Sequence, residues 1–139
     1  MLVTDRVDLD DQIWRTFKAC GKAVAKAADG KHLAAVLGDG RLAVFPAEGG
    51  QAQVIPDLPA RQLPIAFSSD GQSLLVFDMF EVPAQVTRVN VATGQREPWK
   101  TIALSDPTGV HGFPSIRVAT DGSAYAYSYA RFLSELYTV

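Results

Sequence analysis

Apolar residues in this chain come in short runs of four to seven, each bounded by Gly, Pro, Asn or Asp. Leu33 to Leu37, Leu42 to Phe45, Ile65 to Ser68, Leu74 to Phe77, Val86 to Val91, Ile116 to Ala119 and Tyr125 to Tyr129 are rich in β-branched, aromatic or large apolar side chains. That composition and spacing predict strands and tight turns and leave no room for long helices. Ala19 to Ala28 is the one stretch with good helix propensity. Its alanines and lysines alternate with period two and supply no wide apolar stripe, so a strand is expected there as well.

The turns repeat. Asp-Gly occurs at Asp29-Gly30, Asp70-Gly71 and Asp121-Gly122, spaced 41 and 51 residues apart, each between two apolar runs. Asp-Gly in that setting is a hairpin signal, because Gly accepts the positive φ that a tight turn requires. A period of 40 to 50 residues made only of strands is that of a four-stranded β-propeller blade. Four strands are expected in the second unit: Pro64 to Ser68, Leu74 to Phe77, Gln85 to Val91, and Arg96 to Lys100 after a turn at Thr93-Gly94. The first unit offers Lys22 to Ala27, Leu33 to Leu37, Arg41 to Phe45 and Gln53 to Ile55, and the third Ser115 to Thr120, Ala124 to Tyr129 and Glu135 to Val139. Arg6 to Leu9 followed by Trp14 to Phe17 echoes Arg88 to Val91 followed by Trp99 to Ile102, the third and fourth strands of a unit.

The expected fold is therefore all-β, a partial propeller of about three blades. Residues 1–18 would form the end of one blade, 19–60 and 61–104 two blades, and 105–139 an incomplete one. About three blades do not close a ring, and an open slice leaves blade faces and strand edges uncovered. Either the chain is a segment of a longer polypeptide, or two copies form a homodimer that completes a ring of about six blades.

Ile65-Ala66-Phe67-Ser68-Ser69-Asp70-Gly71-Gln72-Ser73-Leu74 resembles the repeat of TolB-like propellers, in which an apolar strand enters Ser-x-Asp-Gly and a second strand follows. Val86 to Gly94 resembles the strand and turn that come next. Tyr125-Ala126-Tyr127-Ser128-Tyr129 and Leu133-Ser134-Glu135-Leu136-Tyr137 are most similar to the C-terminal propeller region of bacterial, acidobacterial-type serine/threonine protein kinases. The sequence departs from the pattern at Lys26-Ala27-Ala28 and Ala119-Thr120, where Ser-Pro is expected. The resemblance implies a sensor or interaction module, extracytoplasmic in such kinases, and no kinase domain lies in these residues.

Thirteen Lys and Arg against fifteen Asp and Glu, with no basic run, argue against nucleic acid as a partner. No apolar run approaches the ~20 residues of a membrane span, and no signal peptide is evident, so the chain as it stands reads as cytoplasmic and not membrane-bound. A single cysteine, Cys20, offers neither an internal disulfide nor a thiolate zinc site. His32 and His111 lack ligand spacing with any carboxylate, and Asp5, Asp8, Asp10 and Asp11 lack the order of a calcium-binding loop. No nucleophile elbow, phosphate loop or zinc-protease motif occurs. No cofactor is expected. The expected function is non-enzymatic, protein-protein interaction or ligand sensing. The alternative is an accessory propeller of a hydrolase such as a peptidase. Asp29, Gly30, Asp70, Gly71, Asp121 and Gly122 read as structural turns. Trp14, Trp99, Tyr125, Tyr127, Tyr129 and His111 are the candidate interface residues, and Thr101 to Gly112, read as a long loop, is the expected contact segment.

Overall fold

The structure, a computed structural model, describes residues 24–27, 30–119 and 121–134. Every regular element in them is a strand: β1 (Val24–Lys26), β2 (His32–Val36), β3 (Leu42–Pro46), β4 (Gln53–Val54), β5 (Gln62–Phe67), β6 (Ser73–Asp78), β7 (Ala84–Asn90), β8 (Arg96–Ile102), β9 (Val110–Val118) and β10 (Tyr125–Arg131). They form three antiparallel sheets: β1-β2-β3-β4, β5-β6-β7-β8 and the hairpin β9-β10. Each sheet is a simple meander, as short connections between antiparallel neighbours dictate. The strands expected at Arg6 to Phe17 and Glu135 to Val139 lie outside the described residues, as does most of Ala19 to Ala28, within which β1 is a strand.

Three connections share one construction. Ala27 N–H donates to His32 O at 2.9 Å, Ser68 N–H to Ser73 O at 2.8 Å and Ala119 N–H to Ala124 O at 2.8 Å, each pair five residues apart. Inside each loop the glycine N–H returns to the first residue's carbonyl: Gly30 to Ala27, Gly71 to Ser68 and Gly122 to Ala119. The turns are thus longer than the two-residue Asp-Gly hairpin. Positive φ falls on Gly71 (73°) and Gly122 (74°) but not on Asp70 or Asp121. The aspartate instead uses its side chain to close the loop. Asp70 Oδ1 accepts the Gln72 N–H at 3.0 Å and the Ser68 hydroxyl at 2.5 Å, and Asp121 Oδ1 accepts the Ser123 N–H at 2.9 Å and its hydroxyl at 2.6 Å.

The expected loop from Thr101 to Gly112 is shorter than the sequence suggests. β8 runs on to Ile102 and β9 begins at Val110. Pro114 does not break β9, because it falls at the register irregularity between the Ser115–Ser128 and Gly112–Ala130 pairs, where no ladder bond needs an N–H from it; the neighbouring Phe113 N–H is bonded at 2.7 Å to Met79 O, in the loop after β6. Pro64 and Pro98 sit in β5 and β8, the two edge strands of the second sheet, where a missing N–H is tolerated.

Period-two alternation gives the second sheet two apolar faces. Leu74, Val76 and Val89 pack with Ala25, Ala34, Leu42, Val44 and Ile55 of the first sheet. Phe77, Ala84, Val86 and Ile102 pack with Phe113 and Ile116 of the hairpin. Phe113, Leu74, Val76, Val86 and Val89 are the largest fully buried side chains, and burying each contributes about 1.5–3 kcal/mol. The first strands of consecutive sheets are neighbours. β5 lies closest to β1, less close to β2 and β3, and also adjoins β9, whereas β4 and β8 have no comparably close strand in another sheet. The sheets therefore diverge outward from the side where β5 lies next to β1 and next to β9. The outward face of the hairpin carries Ser115, Arg117, Ala126 and Ser128, paired across β9 and β10, so it lacks the broad apolar surface that an uncovered blade is expected to present.

Candidate functional site

Of the carboxylates expected as turn formers, Asp70 and Asp121 accept hydrogen bonds within their turns. The Ser68 hydroxyl, then the Gln72 N–H, hold Asp70 below the usual carboxylate range; the Ser123 hydroxyl and N–H do the same for Asp121. Asp39 is lowered chiefly by the Arg41 N–H, and Asp106 by the Thr108 hydroxyl and N–H. Among the described residues no cluster of three or more His, Cys, Asp or Glu side chains is placed to hold a metal ion. His32, at the start of β2, has a buried Nδ1 without a hydrogen-bond partner. His111, on β9, is exposed and stands edge-on to Phe132 at 4.8 Å between ring centroids. Trp14, Cys20 and Asp29 lie outside the described residues.

Three of the expected interface residues, Trp99, Tyr125 and Tyr127, gather at one place; Tyr129 follows further along β10, and His111 stands elsewhere. Trp99 packs on the second sheet's apolar face. Lys100 Nζ lies 4.5 Å from the Tyr125 ring and 6.0 Å from the Trp99 ring. Tyr125 stacks near-parallel on Tyr127 at 6.3 Å, and Tyr127 meets the buried Phe113 edge-on at 5.6 Å. Tyr129 has the Arg131 guanidinium 5.6 Å above its ring. The tyrosines keep 39–47% of their surface exposed, so this seam between second sheet and hairpin is a wet one. Aromatic rings can keep their hydroxyls in water there while their faces receive the cations. His111 belongs to the opposite end of the sheets, with exposed Phe80, Phe132 and Leu133.

At the Asp-Gly end the seam opens into a cleft of about 210 Å³. Phe67 and Leu75 line it with Trp99 and Val118, the serines of the Ser68–Ser73 turn edge it, and Asp121 stands on its far rim. Arg88 also lines it. Ala84, Val86 and Arg88 alternate along β7, and the first two are buried against the hairpin. Alternation therefore aims Arg88 into the space between the sheets. Sequence reasoning passed over Arg88; the signal was a charged residue at an inward position of an alternating strand.

No protein-family model matches the chain, and no curated protein matches it. The described residues hold no helix long and apolar enough to cross a membrane.

Proposed function

We propose that the chain is part of a TolB-like β-propeller and works as a non-enzymatic module for protein interaction or ligand sensing. The observation that carries this reading is that β5 lies next to both β1 and β9, the first strands of three consecutive meanders thus sharing the side from which the sheets diverge. Blades stacked around a common axis have that geometry, since each blade is narrowest at its innermost strand. The identical five-residue closure of the three Asp-Gly loops supports a repeat of one unit. The interaction role is supported by where the chemistry lies: the aspartates are spent on turns, and the exposed aromatics and cations line a seam between sheets. Blades beyond those in one chain come, on this reading, from a second copy. Light scattering coupled to size exclusion tests the assembly: a particle of twice the 15.0 kDa chain mass is expected, and a folded particle of single chain mass would overturn the two-copy ring.

A further inference from the structure

We infer that the cleft between the second sheet and the hairpin binds a small aromatic monocarboxylate, its carboxylate on Arg88 and its ring against Trp99. This deepens the ligand-sensing side of the proposed function and rests on it.

Three observations converge. First, Arg88 lies on the inward side of β7, two residues beyond the fully buried Val86, and its side chain makes no ion pair and no hydrogen bond among the described residues. A guanidinium beside a packed interface, near Asp70 but with its fork not taken up by a carboxylate, is a receptor for a ligand carboxylate whose two oxygens match that fork. Second, the remaining wall is aromatic and apolar: Trp99, Phe67, Leu75 and Val118. A flat ring gains contact there that an inorganic anion would forgo. Third, the charge at the rim sets an upper limit on ligand charge. Asp121 lines the cleft, and Arg88 is close enough to Asp70 to contribute, as the smallest of several causes, to keeping that carboxyl ionised. Attraction to Arg88 and repulsion from the two aspartates both grow in proportion to ligand charge, but the cost of taking charge out of water grows with its square, which favours a monoanion over a phosphate dianion. The size agrees. At about 210 Å³ the cleft is below the ~300–1,000 Å³ of a drug-sized site, which suits a single-ring acid.

The test is an NMR titration of isotopically labelled full chain with phenylacetate, phenylacetamide and phenyl phosphate. The Trp99 indole N–H is the reporter, assigned with Trp99→Phe. Phenylacetate is expected to shift it saturably. The neutral amide, and phenylacetate with Arg88→Gln, are expected to bind about tenfold more weakly or worse, the loss of one charge-assisted bidentate contact. Arg88 is exposed, so the Gln variant keeps the dispersed spectrum of the parent. Equal binding of acid and amide, unchanged affinity in Arg88→Gln, or tighter binding of phenyl phosphate would each overturn the assignment. So would the lack of a saturable shift at any soluble concentration. A flat titration with the sheet-to-sheet contacts intact removes the ligand and leaves the module standing; loss of those contacts removes both.

Discussion

Gly94 closes the turn between β7 and β8, and it is buried because that turn docks on Pro56, just beyond the end of the first sheet. A Cβ at Gly94 would run into the Pro56 carbonyl oxygen and crowd the proline ring, and the residue holds φ at +75°. Gly71 has almost the same φ, +73°, but nothing within 4 Å of an added Cβ. The pair therefore separates two costs. An L-residue at such a φ costs about 1–2 kcal/mol, partly offset by about 0.4–1 kcal/mol because alanine stiffens the unfolded chain. Gly71→Ala is thus expected to lose about 1 kcal/mol. Gly94→Ala carries the same loss plus about 1–3 kcal/mol for forcing the turn away from Pro56. The total, about 2–4 kcal/mol, is a large part of the roughly 5–15 kcal/mol that holds a domain together. Urea unfolding followed by circular dichroism measures both variants against the parent at equal slope. If the two substitutions cost the same within about 0.5 kcal/mol, the turn of the second sheet does not rest on the end of the first, and the packing described here is wrong at that junction.

Other expectations follow from the same contacts. Phe113→Ala should cost about 3–5 kcal/mol, because Phe113 is fully buried between hairpin and second sheet, whereas Phe80→Ser, at 60% exposure, should stay within about 0.5 kcal/mol in the same urea assay. The folded chain holds the pKa values of Asp39, Asp70, Asp106 and Asp121 below the usual carboxylate range. In acid the unfolded chain therefore binds more protons, so the stability these groups contribute is present above the unfolded carboxylate value and is lost as pH falls through and below about 4. Thermal melts across that range should show the decline, and Asp70→Asn should make it shallower. Lys100→Met should alter the near-ultraviolet dichroism of Tyr125 and Trp99 while leaving the far-ultraviolet spectrum unchanged, since Lys100 sits over both rings on an exposed strand position.

Strands were legible because alternation and turn residues agree along most of the chain. Leu74 to Phe77 is expected from sequence and β6 spans Ser73–Asp78; Arg96 to Lys100 is expected and β8 spans Arg96–Ile102. β9 was less legible. Gly112 and Pro114 lie outside the strand expected from Ser115, but Pro114 falls at a register irregularity of the β9–β10 ladder, and Gly112 is needed because a Cβ there would strike Met79 O in the loop after β6. Such a long-range contact leaves no local trace. The turn between β2 and β3 uses a fourth Asp-Gly, Asp39-Gly40, whose carboxylate takes the Arg41 N–H at 3.0 Å; its place outside the repeat spacing hid it. The candidate site was legible in its aromatics and not in its cation. Trp99 and the tyrosines stand out by type, but Arg88 acquires meaning only when β7 is paired and its inward side is known.

The central claim is that separate meanders stack face to face and diverge from a common inner edge, and methyl NOE spectroscopy of the labelled chain tests it most directly. Val44 and Ile55 of the first sheet should show NOEs to Leu74, Val76 and Val89 of the second, and Val86 and Ile102 should show them to Ile116 of the hairpin. Backbone NOEs joining β4 to β5 or β8 to β9 as adjacent strands, without those methyl contacts, would mean one continuous sheet and would contradict the account.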